Sequence, residues 1–375
     1  MKLCCIKYVN VVVSLLLFLF SACRDHISVN VPELSDGDPT TYYTGAQGVN
    51  KIVFDTQSSI PIQSYKLYSS GEAPAHDPVS WVLKGSYDGT KWVVIDERND
   101  QRFCSRYQEI LCTIANPSNY KQYMLEASTA GNDVLILGDV SFSEKNLLTD
   151  WKEFNYPAVD FEVLDPQTKG ASIYTDLVQD PDAYIKYHAE KVAEILFYTA
   201  KDTMNDVQTI QYTLKDYDGV SAKSGNPPVI SIVYSTQHIE KSANESLYKL
   251  DFETRGVLYH ELVHAYQFEP KGIGSYSTNK EFWACIEGMA DAVRAEAGFF
   301  DWSTRKPGGN WMDGYRTTGF FFQWLTTKDP DAIRKLHLTV RDLEVWSFDK
   351  AIKSIFGEDS SIEGMWNEYQ AFLEK

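Results

Sequence analysis

Residues 258–267 read LYHELVHAYQ, and two histidines four apart with a glutamate directly after the first constrain this chain more than any other feature. On a helix, His260 and His264 stand one turn apart on the same face, so two imidazole nitrogens can reach one tetrahedral zinc. Glu261 then sits beside the ion as the general base, taking a proton from the bound water and handing it to the leaving amine. A helix is therefore required here, with a second element to deliver another ligand. The chain holds 7 histidines in 375 residues. At that frequency HExxH arises by chance in about one such chain in a hundred, so the second element decides whether the pattern means metal.

The run IEGMAD supplies it. Glu287 follows His264 by 23 residues and Asp291 follows Glu287 by one helical turn, so both carboxylates fall on one face of a second helix. Glu287 is the expected third ligand, with the fourth position left to water. Asp291 is expected behind the ligands, accepting the outer ring N–H of a ligand histidine and fixing its tautomer. Gly288 is expected to let the two helices approach closely. A third histidine six residues after His264, as in metzincins, is excluded because Pro270 stands there and Gln267 occupies the position that needs glycine.

At the N-terminus, Lys2 and Lys7 precede an apolar run over residues 11–20, followed by Ser21-Ala22-Cys23. This pattern predicts a secretory signal, with an apolar run too short to span a bilayer as a lasting helix. Cysteine directly after small residues resembles a bacterial lipobox. Its implication is removal of residues 1–22, acylation of Cys23, and attachment to the cell envelope at the outer membrane, facing periplasm or exterior. Residues 23–30 read as a tether. The balance of 35 basic against 52 acidic residues, net −17, excludes nucleic acid and anionic membrane surface as partners. Past the signal, Cys104, Cys112 and Cys285 allow at most one internal pair, and Cys104 with Cys112 is the local candidate. Cys285 is read as buried packing.

Residues 31–145 carry short alternating segments between turn residues, among them KIVFD, YKLYS, WVLKGS, WVVID, YMLEA and VLILGDVSF, which predict a β-sandwich. Asp88-Gly89 is a hairpin turn signal. DGDPTTYYT, DPVSWVLKGSYDGTKWVVID and SNYKQYMLEAS together resemble the coagulation factor 5/8 type C, or discoidin-like, module. The resemblance implies an antiparallel jelly roll whose end loops bind glycans, with a structural calcium (Ca2+) in some members; Asp36 and Asp38 are the oxygen donors available for it. Trp81 and Trp92 are read as core.

After a linker at 146–157, residues 158–375 mix helices with a few strands and form an α+β, mostly helical domain. Asp180-Pro181 starts a helix with Ile185, His188, Val192 and Leu196 at helical spacing, and His188 is read as a core-edge residue. Asp251 is the expected N-cap of the HELVH helix, with Leu258, Leu262 and Ala265 packing inward, and Asn279 or Thr278 the expected cap of the next. Residues 228–235, PVISIVYS, are read either as an edge strand above the site, able to pair with an extended peptide, or as an ordinary interior strand. The order GVLYHELVHAYQ, EGMAD, GYRTTGFFFQWL is similar to the basic secretory protein-like peptidases of plants and bacteria. That resemblance implies a gluzincin-like, zincin-fold metallopeptidase with His260, His264 and Glu287 as ligands of one catalytic zinc (Zn2+) and Glu261 as base. Tyr315, just before the helix GFFFQWL, is a candidate donor to the oxyanion of the tetrahedral intermediate.

The expectation is an exported, lipid-anchored zinc endopeptidase acting on protein or glycoprotein substrate and docked on glycan through its sandwich. Residues 155–375 are expected to cleave small peptides without the sandwich. A surface-binding lipoprotein with a degenerate peptidase domain is the alternative, and the intact Glu261 beside intact ligands argues against it. A glycoside hydrolase needs two carboxylates flanking a sugar bond, which no spacing in the sequence establishes.

Overall fold

The structure is a computed structural model, and it describes residues 27–29, 31–56, 58–131, 133–146 and 151–375. The expected signal and Cys23 lie outside the described residues. Two hydrophobic cores divide the chain into an all-β N-terminal unit and a mostly helical C-terminal one.

The first unit holds β1 (Ile27–Val29), β2 (Tyr43–Gln47), β3 (Asn50–Thr56), β4 (Ser64–Tyr68), β5 (Ser80–Ser86), β6 (Val93–Arg98), β7 (Glu109–Thr113), β8 (Gln122–Ser128), β9 (Val134–Leu137) and β10 (Asp139–Ser143). Among the described residues they pair as a five-stranded sheet β1-β3-β8-β5-β6, a three-stranded sheet β10-β4-β7 and the pair β2-β9, every pairing antiparallel. Alternation along β3, β5 and β8 turns Phe54, Trp81, Leu83 and Leu125 onto Tyr65, Leu67, Val140 and Phe142 of the facing sheet. The expected sandwich is therefore present. Ile27–Val29, inside the expected tether, is instead an edge strand paired with β3. Trp81 is buried and donates its indole N–H to the Tyr65 hydroxyl at 2.9 Å, whereas Trp92 is only half-buried, because it lies in the loop between β5 and β6. The carboxylates of Asp36 and Asp38 accept hydrogen bonds within their own turn, from Asp38 N, Thr41 Oγ1 and Thr40 N.

The second unit opens with β11 (Ala158–Val163), crosses over through α1 (Lys169–Leu177) and α2 (Pro181–Leu196), and continues with β12 (Thr209–Lys215), β13 (Ser221–Asn226) and β14 (Val229–Ser235). The sheet order is β11-β12-β14-β13: β12 lies parallel to β11 and β14, and β13 runs antiparallel to β14. The helical crossover is what a parallel pair demands. Of the two readings of residues 228–235, the interior strand is the one present, as β14. The edge is β13, whose sequence SAKSGN hides it from pattern reading because an edge strand has few side chains to bury. There follow α3 (Thr236–Ala243), α4 (Leu247–Tyr266), α5 (Lys280–Glu296), α6 (Tyr315–Leu325), α7 (Ala332–Asp342), α8 (Phe348–Phe356) and α9 (Ile362–Leu373).

The two units share a packed boundary. Cys104, from the sandwich, belongs to the C-terminal core, and Cys112 to the N-terminal one; both are free, as is Cys285. Backbone N–H groups of Arg106 and Gln179 donate across the boundary to Leu177 O (3.0 Å) and Cys104 O (2.9 Å). The Tyr187 hydroxyl of α2 donates to Glu109 of β7 at 2.5 Å. Burial of Glu109 opposes its ionisation, but Lys66 and Tyr187 outweigh it and hold the carboxyl down to about 2. The expectation that the C-terminal unit works unaided therefore meets a shared interface whose removal uncovers buried side chains.

Candidate metal centre and peptide cleft

α4 begins four residues before the expected cap. Ser246 caps it, its Oγ accepting from Lys249 N at 2.9 Å. Asp251 lies one turn inside, fully buried, where it pairs with Arg255 at i+4; an interior ion pair, not a free N-terminus, accounts for this carboxylate. Leu258, Leu262 and Ala265 are fully buried, so the opposite face of the same helix turns His260, Glu261 and His264 toward a cleft. The helix stops at Tyr266, before Pro270. α5 is capped by Asn279, which accepts from Glu281 N and Phe282 N.

α5 packs beside α4 and brings Glu287 to the two histidines. His260 Nε2 and His264 Nε2 are 3.1 Å apart, and Glu287 Oε2 lies 3.3 Å from the first and 3.7 Å from the second. All three donor atoms fall within 4.8 Å of one another, and no other group of three such residues occurs among the described residues. Zinc bonded tetrahedrally at about 2.0–2.1 Å sets its ligand atoms roughly 3.3 Å apart, so this donor set fits the ion in both chemistry and spacing.

The partners behind the donors fix their orientation. Asp291 Oδ1 accepts from His260 Nδ1 at 2.7 Å, where the helical spacing placed it, and this leaves Nε2 facing Glu287. Burial works against a charged His260, but Asp291 and Glu287 outweigh it and raise its pKa to about 10. The side-chain amide nitrogen of Gln267 stands 2.6 Å from His264 Nδ1 and holds the second ring in position. Tyr276 donates to Glu287 Oε1 at 2.5 Å. Burial opposes ionisation of Glu287, yet the two histidines and Tyr276 hold its carboxyl well below the usual range. Ser221 of β13 donates to Glu261 Oε1 at 2.5 Å, leaving the other oxygen free. Ser221, Tyr276 and the role of Gln267 have no signal in the sequence: a serine on an exposed edge and one of 23 tyrosines are indistinguishable from their neighbours.

Tyr315 stands at the start of α6 with φ 41°, after Gly314 at φ 68°. Its ring lies over His260, centroids 6.0 Å apart and 15° from parallel, and it lines the cleft. Burial and the charge of Glu287 raise its phenol, which keeps the O–H in place as a donor. Gly288 serves a different contact from the one expected: a Cβ there would meet Thr318 of α6, so it brings α5 against α6, not α4. His188 is buried away from the cleft with its Nδ1 on Tyr184 O at 2.8 Å, a core residue as read. The cleft measures 430 Å³ and is lined by β13 on one side and by Tyr276, Phe282, Ile286 and Tyr315 on the others.

Comparison with known proteins adds the following. The family model described as peptidase of plants and bacteria (BSP) matches residues 156–369, more than half of the chain. A 55-residue stretch is 40% identical to peptide-N(4)-(N-acetyl-beta-glucosaminyl)asparagine amidase of Arabidopsis thaliana; it makes up 14% of this chain and spans only 8% of that protein. Similar solved structures include a family 32 carbohydrate-binding module from Streptococcus pneumoniae EndoD, at 11% identity over 32% of this chain and 97% of that one, TM-score 0.28. An F5/8 type C domain from Bacteroides fragilis is similar at 14% identity over 32% of this chain and 91% of that one, TM-score 0.28. A CBM32 module from Clostridium perfringens, solved with GalNAc-beta-1,3-galactose, is similar at 16% identity over 29% of this chain and 80% of that one, TM-score 0.27.

Proposed function

Because the chain belongs to the peptidase family of plants and bacteria, we propose that it is a zinc-dependent endopeptidase of the bacterial cell envelope. The observation that carries this reading is the convergence of His260, His264 and Glu287 donor atoms within 4.8 Å, at a cleft that Glu261 also lines. His260 Nε2, His264 Nε2 and Glu287 Oε2 would hold the ion. Zinc, when bound, lowers the pKa of a water toward neutrality and polarises the scissile carbonyl.

The chain's own residues do the rest. Glu261, with one oxygen tied to Ser221, uses the other to take the proton of the attacking water and passes it to the leaving amine. Tyr315 donates its O–H to the oxyanion, an interaction worth a few kcal/mol. Asp291 keeps the His260 imidazole in the tautomer that turns Nε2 inward, and Gln267 holds the His264 ring in position. The free edge of β13 offers backbone N–H and C=O groups to an extended peptide, which holds the scissile bond beside Glu261. The discoidin-like sequence pattern of the sandwich supports docking on glycans or glycoproteins, and the signal with Cys23 supports a lipid anchor.

Metal analysis of the soluble protein lacking residues 1–22, combined with a mixed peptide library, tests the reading. One zinc per chain and internal cleavage of peptides are expected. A zinc-free protein that cleaves no peptide when zinc is supplied overturns it.

A further inference from the structure

The cleft is lined by three glutamates, Glu261, Glu269 and Glu287, and by one lysine, Lys223 of β13. Ser221 and Lys223 are half-buried, whereas Ala222 and Ser224 between and beyond them are exposed. Residues two apart on a strand share a face. Ser221 reaches Glu261, so Lys223 projects on that same side, roughly 7 Å farther along the edge. Among the described residues its ammonium makes no ion pair within 4.0 Å. Burial pulls it below its ordinary value, and the more distant Glu269 and Glu261 offset only part of that.

Lysines on free sheet edges often serve to block pairing with another chain, and such lysines point into water. Lys223 instead lines the cleft wall and is half-buried, on the same side of β13 as Ser221. A half-buried cation with no carboxylate within 4.0 Å among the described residues, set on the strand that would carry the substrate, is arranged to receive a negative charge from outside the chain.

We propose that Lys223 selects peptides with an aspartate or glutamate two residues from the scissile bond. The inference rests on the peptidase reading for the location of that bond. Ser221, beside Glu261, marks the scissile position on β13, and side chains directly opposite on paired strands stand about 5 Å apart. Two residues along β13 therefore correspond to two residues along the bound peptide.

Peptides that differ only by Glu, Gln or Lys at each position around the cleaved bond test this with the whole protein. The kcat/KM ratio of Glu to Gln peptides should be about ten at one position, two residues from the bond, since ten-fold corresponds to about 1.4 kcal/mol. Lys223→Met should bring the ratio toward one, and Lys223→Glu should turn the preference toward Lys. A ratio near one at every position in the wild type, or a ratio that survives both substitutions, overturns the proposal. Binding of the same peptides to Glu261→Gln protein, with and without Lys223→Met, reads the preference without turnover. Absence of cleavage together with a Lys223-dependent binding preference would sink the peptidase reading and uphold the role of the lysine. Equal binding of Glu and Gln peptides would sink the lysine's role alone.

Discussion

Gly288→Ala is the most discriminating substitution this fold offers, because two physical effects predict opposite signs. Helix propensity alone favours alanine in the middle of α5 by about 1 kcal/mol. Packing opposes it: the added Cβ would lie 2.3 Å from Thr318 Cγ2 and 2.7 Å from Thr318 Cβ. Thr318 is fully buried and cannot swing aside freely, because its Oγ1 donates to Trp311 O at 2.7 Å and accepts from Gly314 N at 2.8 Å. Overpacking of this kind costs about 1–3 kcal/mol, and the short contact to the pinned Thr318 puts this case toward the upper end, so with the propensity gain of about 1 kcal/mol subtracted a net loss of up to about 2 kcal/mol is expected. In a unit of this size that lowers Tm by up to roughly 8 °C. Since the bonds of Thr318 hold the loop that presents Tyr315, the variant should also lose peptidase activity. Thermal and urea unfolding of Gly288→Ala, Thr318→Ser and the double variant complete a cycle. Serine keeps the hydroxyl and removes Cγ2, so the double variant should be more stable than the sum of the singles by about 1 kcal/mol, with the contact to Cβ still limiting recovery. A Gly288→Ala protein more stable than wild type, or strict additivity in the cycle, would refute the packing argument.

Other expected outcomes follow from the site and the core. Glu261→Gln should retain zinc by metal analysis but lose peptide hydrolysis by roughly 10²–10⁴, since an amide takes no proton; normal turnover would reassign the base. Asp291→Asn should weaken zinc affinity by roughly ten- to a hundred-fold in a chelator competition, and an unchanged affinity would return Asp291 to an ordinary buried position. Burial depresses His188 to about 3 and His337 to about 4. Both are neutral in the folded chain and take up protons on unfolding below about pH 6.5, so stability is full above that pH and falls by about 1.4 kcal/mol per pH unit per histidine toward the folded values. Urea midpoints that stay flat from pH 7 to 4.5 would contradict this. Deleting residues 31–145 should leave the rest poorly soluble or destabilised in unfolding assays because the boundary around Cys104 and Glu109 is uncovered, and a fully stable, active remainder would show the boundary to be dispensable.

The sequence by itself determined which residues converge at the candidate metal site and the partner of one of them. His260, Glu261 and His264 on one face, and Glu287 with Asp291 on another, follow from the 3.6-residue period of a helix, which is a local rule and can be applied without knowing the fold. Alternating strands likewise determined the sandwich, and apolar spacing the inward faces of α4 and α5. Only the tertiary structure decided what surrounds those donors. Ser221 on Glu261, Tyr276 on Glu287 and the contact of Gly288 with α6 each join residues on different elements, and no periodicity along one element specifies its neighbour. Asp251 shows the same limit: its place in the sequence suits a cap, but Ser246 caps the helix one turn earlier, and the carboxylate is left to pair with Arg255. The edge strand was hidden for a related reason. β13 pairs along one side and leaves the other free, so it needs no run of apolar residues, and its neighbour β14, which buries Ile230, Ile232 and Tyr234 on one face, carries the stronger pattern.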